Sequence, residues 1–187
     1  MEKVGVLALQ GSFAEHLAIL RRMPGIEPLE VKTIAQLEAV DRLIIPGGES
    51  TAIGKLLRKT GMLPLLQKRI EEGLAVWGTC AGLILLAKRI VGEEPYLDAM
   101  DITVKRNAYG SQLYSFRCEQ IIPAISAKPI HLVFIRAPWI EAVGPEVEVL
   151  AERDGRIIAA KQGRLLATSF HPELTQDTSV YEYFLQM

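Results

Sequence analysis

A cysteine between two glycines is the residue of this sequence best suited to nucleophilic chemistry. Cys80 lies between Gly78 and Gly82, after the apolar run 74–77 and at the start of the apolar stretch 81–90. Small flanking residues permit the sharp strand-to-helix turn of a nucleophile elbow, which lifts the thiol above the edge of a sheet. A helix N-terminus at that point stabilises a thiolate, and the N–H of Ala81 would face an oxyanion formed beside the sulfur. We therefore predict that Cys80 is a nucleophile rather than an ordinary buried cysteine.

A thiol nucleophile needs a base, and His171 is the candidate among the three histidines. His171 is joined through Pro172 to Glu173, and in an extended backbone two residues that are two apart point the same way. Glu173 could then accept the imidazole N–H and orient the ring, as the third member of a triad must. We interpret His16 as a histidine on a helix surface and His131 as a residue at a strand edge.

A pair of glycines follows another apolar run, Leu43–Ile45. Ligands of open parallel sheets bind beyond the carboxyl ends of strands, where Gly47 and Gly48 are expected. Glycines let backbone N–H groups approach a ligand closely and donate to a developing negative charge. A tight turn with Ser50 as a helix cap is the open alternative. The stretch lacks the Gly-Lys-Ser/Thr ending of a phosphate-binding loop.

Strands and helices alternate in the first half of the sequence. Apolar runs predict strands, and Ser12 with Glu15 and Thr33 with Gln36 form the pattern of a helix-capping box. The predicted strands are 4–9, 43–45 and 74–77, and the predicted helices begin near Ser12, Thr33 and Ser50 and cover 63–72 and 81–90. This alternation indicates a parallel sheet covered by helices on both faces.

The second half has a different pattern. Short strand-like runs dominate, Asp154-Gly155 is a hairpin signal, and a helix is expected to close the chain. The predicted strands are 113–118, 132–135, 147–151, 157–161 and 165–170, and the closing helix is 175–186. We predict a single domain, 1–187, of the α/β class: a doubly wound, mostly parallel sheet with an antiparallel portion in the C-terminal half.

Composition excludes several classes of protein. The 187 residues contain 21 basic and 22 acidic side chains, a net charge of −1, without the basic excess of a nucleic-acid-binding protein. Two cysteines are too few for a disulfide framework and favour a reducing compartment. No apolar stretch approaches the roughly 18 residues of a membrane span, and the first residues do not form a signal peptide. We expect a cytoplasmic protein.

Three stretches together resemble a known family. Gly78–Gly82, Pro46–Ser50 and His171–Glu173 are similar to the motifs of class I, triad-type glutamine amidotransferases. Further stretches resemble the glutaminase subunits of pyridoxal 5′-phosphate synthases: Gly5–Gly11, Gly48–Thr51, Arg106-Asn107, Phe134–Pro138, Ala159–Gly163 and Ser169–Thr175. The resemblance covers about residues 4–176. Leu83 stands where many class I members carry Gln, which fits the vitamin B6 subfamily.

The resemblance implies a flavodoxin-like fold and a role for each matching residue. Cys80, His171 and Glu173 would hydrolyse L-glutamine through a γ-glutamyl thioester. The implied glutamine site contains Gly48, Glu49, Ser50, Arg106, Ile135 and Arg136. The oxyanion would be bound by Gly48 and Ala81, with Gln10 and Gly47 as further members of the oxyanion site, and Gln10 would belong to the oxyanion region that changes shape when a partner binds. No metal and no organic cofactor is implied.

The resemblance also implies a partner. Ammonia would pass to a separate (β/α)₈-barrel synthase subunit, which would activate the glutaminase. Two alternatives stay open on the sequence: another elbow-cysteine hydrolase, such as a γ-glutamyl hydrolase or an intracellular peptidase, and a non-enzymatic domain whose Cys80 senses oxidants.

Overall fold

The computed structural model describes residues 1–106 and 115–187. Strands and helices alternate up to residue 90, and strands dominate from there to residue 168. In chain order the elements are β1 (Glu2–Leu7), α1 (Phe13–Leu20), β2 (Ile26–Val31), α2 (Ile34–Glu38), β3 (Arg42–Ile45), α3 (Ser50–Lys59), α4 (Met62–Glu71), β4 (Ala75–Thr79), α5 (Ala81–Leu86), β5 (Ala87–Ile90), β6 (Met100–Lys105), β7 (Ser115–Ile122), β8 (Ser126–Ile135), β9 (Trp139–Val143), β10 (Glu148–Arg153), β11 (Arg156–Gln162), β12 (Leu165–Thr168) and α6 (Ser179–Leu185).

Ten of the strands that the structure describes form one mixed sheet in the order β2-β1-β3-β4-β12-β11-β9-β6-β5, with β10 paired to β11. The pairs among β2, β1, β3, β4 and β12 are all parallel, whereas β12–β11, β11–β9 and β9–β6 are antiparallel. The parallel part has the flavodoxin-like strand order. The predicted α/β class, with a mostly parallel sheet and an antiparallel portion late in the chain, is confirmed.

The central strands β3, β4 and β12 are buried on both faces, and their residues are apolar except at the strand ends, where Arg42, Thr79 and Thr168 lie. Along β4 the side chain of Val76 joins one apolar cluster and that of Trp77 joins the other, as alternation along a strand requires. The first cluster includes side chains from α2, α3, α4 and α5. The second includes α1, α6 and the separate antiparallel pair β7–β8. Both faces of the sheet are thus covered, and the loops at the carboxyl ends of the strands are left to form a site.

Several predicted boundaries need correction. The closing helix expected over 175–186 is α6, Ser179–Leu185, and the strand expected over 132–135 begins at Ser126 as β8. The helix expected over 81–90 ends at Leu86, because Ala87 has extended angles (φ −64°, ψ 140°) and begins β5, which pairs with β6. The strand expected over 113–118 is β7 from Ser115 onward, whereas Leu113 lies outside the described residues, as does Asn107 of the Arg106-Asn107 motif.

The turn and cap patterns had mixed outcomes. The capping box of Thr33 with Gln36 is present, and Asp154-Gly155 joins β10 to β11 with positive φ at both residues, so these predictions are confirmed. The capping box of Ser12 with Glu15 was wrong, since the Ser12 side chain makes no hydrogen bond to the first turn of α1. In the part of the chain that the structure describes, no helix is long and apolar enough to span a membrane.

Candidate active site

Four segments that carry candidate site residues follow the carboxyl ends of parallel strands. Gln10 follows β1, Gly47 and Gly48 follow β3, Cys80 follows β4, and His171 follows β12. Because these four strands are parallel and adjacent, their carboxyl ends meet at one edge of the sheet. The topology therefore brings together residues that are up to 161 positions apart in the chain.

Cys80 occupies a strained turn between β4 and α5. Its φ of 49° and ψ of −102° lie outside the favoured regions for a residue with a side chain. The turn is held by the Cys80 N–H, which donates to the Thr168 carbonyl at 2.8 Å. A Cβ at Gly82 would stand 2.1 Å from the Ile45 carbonyl oxygen, and one at Gly78 would stand 2.4 Å from the Gly82 backbone. Both glycines are thus required for the close packing of α5 on the sheet, which is the geometry predicted for a nucleophile elbow.

His171 and Glu173 are in direct contact. His171 Nδ1 and Glu173 Oε1 are 2.7 Å apart, and both side chains are almost completely buried. The backbone differs from the predicted extended form, since Pro172–Leu174 is a single 3₁₀ turn and His171 has φ −107° and ψ 86°. The His171 N–H donates to the Val133 carbonyl at 2.8 Å, which ties the turn to β8. Because Nδ1 faces Glu173, Nε2 is the nitrogen available to Cys80.

The charges and hydrogen bonds around His171 favour a protonated imidazole. Burial lowers the pKa of His171, but hydrogen bonds to Cys80 and Glu173 and the charges of both groups outweigh burial and raise it to about 10. Burial also raises the pKa of Glu173, and the hydrogen bond from His171 with the neighbouring histidines and Ser12 brings it below its usual value. The pair is therefore arranged as imidazolium and carboxylate at neutral pH.

Ser12 connects the glycine pair after β3 to the triad. Its N–H and its hydroxyl both lie within hydrogen-bond distance of the Gly47 carbonyl, at 2.9 and 3.3 Å, and the hydroxyl is 2.7 Å from Glu173 Oε1. In a planar trans peptide the N–H of Gly48 points opposite to the Gly47 carbonyl, away from Ser12. A Cβ at Gly47 would lie 2.5 Å from the His171 ring, so only glycine allows this loop to pack on the histidine.

Glu49 and Arg106 form one wall of the site. Glu49, not Ser50, caps α3, because its carboxylate accepts from the N–H groups of Thr51 and Ala52 at 3.2 and 2.9 Å. Arg106 Nη2 donates to Glu49 Oε1 at 2.8 Å, and Nη1 donates to both carboxylate oxygens of Glu93 at 2.7 and 2.9 Å. The Glu49 N–H donates to the side-chain oxygen of Gln10 at 2.9 Å, which links the wall to β1.

These groups surround a cavity of about 380 Å³. Its lining includes ten of the residues singled out in the sequence: Gln10, Gly48, Glu49, Ser50, Cys80, Ala81, Arg106, Ile135, Arg136 and His171. Gly47 and Glu173 lie behind His171 rather than on the cavity wall. The Ser50 hydroxyl is buried there and has no hydrogen-bond partner among residues 1–106 and 115–187, and the Cys80 sulfur lies 3.9 Å from the Ile135 carbonyl oxygen. A wider hollow of about 570 Å³ lies at the opposite, amino ends of β4 and β12, next to Gly73 and Arg164, and holds none of these groups.

The interpretation of His16 as a surface residue was wrong. Its side chain is fully buried under Trp77 and Tyr181, because the inward face of α1 carries residues 16, 17 and 20 rather than 13, 17 and 20. Sequence reasoning also missed Ser12 as a site residue, since a serine before a helix is the usual signal for a cap. His131 does lie on a strand of the exposed β7–β8 pair, where it contacts Glu119 at 2.7 Å.

Nothing in the described ranges, 1–106 and 115–187, groups three or more His, Cys, Asp or Glu side chains as a metal site would. The described polar groups of the cavity are a thiol, a hydroxyl, an imidazole, the Gln10 amide, backbone N–H groups and three charged side chains, those of Glu49, Arg106 and Arg136. Such a set suits addition of a thiol to a carbonyl carbon and stabilisation of the resulting oxyanion.

Comparisons with known proteins agree with this chemistry. A family model described as the SNO glutamine amidotransferase family matches residues 6–187. A protein of Caldanaerobacter subterraneus subsp. tengcongensis named pyridoxal 5′-phosphate synthase subunit PdxT is 55% identical over 99% of this chain and 98% of its own length. The protein of that name from Clostridium botulinum is 53% identical over 99% of this chain and 96% of its own.

Solved structures agree as well. One described as a glutamine amidotransferase superposes with a TM-score of 0.91 at 49% identity, over 98% of this chain and 97% of that one. The PurLQS structure from Thermotoga maritima superposes with a TM-score of 0.68 at 16% identity, over 99% of this chain and 97% of that one, and this likeness concerns the fold alone.

Proposed function

The chain belongs to the SNO glutamine amidotransferase family, and from that premise we propose that Cys80, His171 and Glu173 are the triad with which it hydrolyses L-glutamine as the glutaminase subunit of a pyridoxal 5′-phosphate synthase. Its relatives over nearly the whole length carry that subunit name. The observation that carries the residue assignment is the contact of His171 with Glu173 at 2.7 Å, beside a cysteine held in an elbow at the floor of the cavity.

The first step is addition of the Cys80 thiolate to the side-chain amide carbon of glutamine. The C–S bond forms as the carbonyl π electrons move to oxygen, and the N–H groups of Ala81 and Gly48 donate to that oxyanion. Support for Ala81 comes from its place directly after the nucleophile. Support for Gly48 comes from the Gly47 carbonyl, which faces Ser12. Because the peptide is planar and trans, the Gly48 N–H points in the opposite direction, away from Ser12.

The second step breaks the C–N bond. His171 gives its Nε2 proton to the leaving nitrogen, ammonia departs, and a γ-glutamyl thioester remains on Cys80. Neutral His171 then takes a proton from water as the water oxygen adds to the thioester carbon, and collapse releases glutamate and restores the thiolate. Glu173 holds the imidazole by Nδ1 throughout. Before the addition, burial is outweighed by the hydrogen bonds and charges of Cys80 and Glu173, which raise the pKa of His171 to about 10, so the ring enters the reaction protonated.

The substrate site is the cavity in front of Cys80. Arg136 brings positive charge to its wall, which suits the α-carboxylate of an amino acid. Arg106 lines the same wall, where its bonds to Glu93 and Glu49 position the Glu49 carboxylate, which suits the α-ammonium group. The unpartnered Ser50 hydroxyl supplies a further hydrogen bond. A volume of about 380 Å³ is at the small end of the range of ligand sites, as a five-carbon amino acid requires.

A synthase partner uses the ammonia. We extend the proposal to a (β/α)₈-barrel subunit as that partner, with residues 1–187 acting as one glutamine amidotransferase domain, and with two free cysteines, Cys80 and Cys118, in keeping with a cytoplasmic location. Free ammonia is wasted unless the two subunits are in contact, so hydrolysis should be slow in the isolated chain and rise on addition of the synthase subunit.

The test compares the two cysteines. Glutamine hydrolysis by the complex should fall by at least about 10⁴-fold in Cys80→Ala, since the nucleophile is lost. Cys118→Ala makes the same change at a half-buried position on β7 and should keep wild-type activity. Glutamate release by Cys80→Ala at more than a hundredth of the wild-type rate would disprove the mechanism. Full activity of the isolated wild-type chain would argue against a dependent subunit.

A further inference from the structure

We propose that His16 is a positioning residue for this reaction: it holds the Glu173 carboxylate from the side opposite His171, in a tautomer set by Tyr181. The inference rests on the proposed function, because it concerns the carboxylate assigned to the triad. It adds to the triad two residues from α1 and α6 that contact neither substrate nor nucleophile.

The two oxygens of Glu173 have different surroundings. Oε1 is 2.7 Å from both His171 Nδ1 and the Ser12 hydroxyl. Oε2 is buried and makes no hydrogen bond with any group in the described parts of the chain. The group that faces Oε2 is His16 Nε2, at 3.5 Å, and both side chains are completely shielded from solvent. A buried carboxylate oxygen without a donor is costly, so a polar N–H directed at it contributes to keeping Glu173 ionised.

The state of His16 follows from its surroundings. Burial is the largest influence and lowers the pKa of His16 to about 4, although the charge of Glu173 opposes it. The ring is therefore neutral at physiological pH, with one nitrogen donating and the other accepting. Its charge acts on Glu173 only in acid, where the ring is protonated, so at physiological pH any help to the carboxylate must come from where the single ring proton is placed.

Tyr181 decides that placement. Its hydroxyl oxygen is 2.7 Å from His16 Nδ1, and burial raises the pKa of the phenol well above its usual value, so the proton stays on Tyr181. When the hydroxyl donates to Nδ1, the ring proton must be on Nε2, where it faces Glu173 Oε2 and the Thr79 hydroxyl oxygen at 3.4 Å. The other tautomer would direct a lone pair at the carboxylate, which is unfavourable.

The charged groups that act on His16 are Glu173, His171 and Glu15. Titratable groups face it from the segment after β12, which carries Glu173 and His171, from α6 through Tyr181, and from α1 itself through Glu15. Strand β4 presents only uncharged side chains, including Thr79. Glu173 is thus held between two imidazoles, of which one is charged and exchanges protons with the reaction and the other is neutral and fixed.

The test uses four variants in the complex with the synthase subunit. His16→Leu removes the donor, and His16→Gln replaces it with an amide N–H near the position of Nε2. Tyr181→Phe removes only the hydroxyl that sets the tautomer, and Tyr183→Phe, on the same helix, is its matched control. We expect kcat to fall about 10- to 100-fold in His16→Leu with KM changed less than twofold, by analogy with the loss of partners that orient metal-ligating histidines. His16→Gln should recover most of kcat, Tyr181→Phe should lose several-fold, and Tyr183→Phe should lose nothing.

A pH profile separates positioning from packing. In His16→Leu the Glu173 carboxylate is less well held, so it stabilises the His171 imidazolium less. The basic limb of the pH profile of kcat/KM should therefore move to a pH about one unit lower in His16→Leu and should not move in Tyr183→Phe. Equal losses in His16→Leu and His16→Gln with unmoved profiles would refute the proposal and leave a packing role. If His16→Leu does not fold, wild-type rates in Tyr181→Phe would refute the proposal in the same way.

A second readout does not need glutamine. The rate at which iodoacetamide alkylates Cys80, followed by peptide mass mapping so that Cys118 is counted separately, reports the thiolate and its imidazolium partner. We expect alkylation at pH 6 to slow about tenfold in His16→Leu and severalfold in Tyr181→Phe. An unchanged rate in both would refute the proposal. If the wild-type complex did not hydrolyse glutamine at all, the proposed function would be overturned, but the alkylation rates would still decide the role of His16.

Discussion

Replacing Gly82 by alanine tests whether the elbow must be this tight for Cys80 to be placed correctly. A Cβ built on Gly82 lies 2.1 Å from the Ile45 carbonyl oxygen and 2.9 Å from its carbonyl carbon, against an ordinary contact of 3.4 Å or more. The obstacle is backbone of β3, in the middle of the parallel sheet, and cannot rotate away as a side chain can. Helix α5 must therefore move outward by about 1.3 Å, the difference between 3.4 Å and 2.1 Å.

The outward displacement of α5 is expected to lower both the stability of the fold and the rate of catalysis. Overpacking of this kind lowers the free energy of unfolding by roughly 1–3 kcal/mol. The better helix propensity of alanine offsets up to about 1 kcal/mol of that loss. A loss of about 1–2 kcal/mol lowers Tm by roughly 2–8 °C in a chain of this size. Cys80 moves with α5, and a misplacement of about 1 Å costs on the order of 100-fold in rate. Activity should thus suffer much more than stability.

The assay is kcat/KM for glutamine in the synthase complex, together with a thermal melt. Gly54→Ala is the matched control, because a Cβ there also lies 2.1 Å from a neighbour, but the neighbour is the ring of Tyr96, a side chain able to shift. We expect Gly54→Ala to keep kcat within about threefold, since side-chain rearrangement leaves Cys80 in place. Gly82→Ala with wild-type kcat/KM would refute the argument that the elbow geometry depends on this close approach.

Two further predictions concern the groups around Glu173. Ser12→Ala removes a hydroxyl 2.7 Å from Glu173 Oε1 and should lower kcat about 10- to 100-fold, the effect of a hydrogen bond to a charged group, whereas Ser126→Ala, on β8, should have none. Acidification should destabilise the fold through His16, because a group with a depressed folded-state pKa contributes stability above pH 6.5 that is lost as the pH falls toward 4. Urea unfolding should therefore show that the free energy of unfolding decreases between pH 7 and pH 4 by about 3 kcal/mol more in wild type than in His16→Leu. Equal decreases in the two proteins would contradict the assignment of a neutral buried ring.

The features that sequence reasoning predicted correctly are local ones. The elbow at Cys80 follows from two glycines at fixed offsets within one strand-turn-helix unit, and the turn at Asp154-Gly155 follows from two residues that tolerate positive φ. The alternation of apolar runs and amphipathic segments was enough to predict the class of fold, because parallel strands buried on both faces must be apolar throughout.

Missed strands lie where the sheet is least buried. β2 contains Pro28 and two glutamates and was not predicted, because proline and charge are typical of edge strands, and β2 is an edge of the sheet. β6 alternates buried and less buried residues from Met100 to Val104, so period-2 counting would have found it. The end of α5 at Leu86 has no local breaker, since the change to β5 depends on pairing with β6.

Ser12 shows why the rest of the site was not accessible from the sequence. Read locally, a serine three residues before a glutamate is a helix cap, worth about 1 kcal/mol. In the fold its hydroxyl donates instead to Glu173, 161 positions away along the chain, while its N–H donates to the Gly47 carbonyl, 35 positions away. The exchange is favourable because a hydrogen bond to a buried carboxylate is worth more than one to an exposed helix N–H. It also means that Ser12 divides two tasks: its N–H holds the peptide that directs the Gly48 N–H, and its hydroxyl holds the carboxylate that orients His171. Ser12→Ala, which keeps the N–H and loses the hydroxyl, must therefore disturb proton transfer through Glu173 and leave the Gly48 peptide in place, and a change at His16 acts on the same carboxylate.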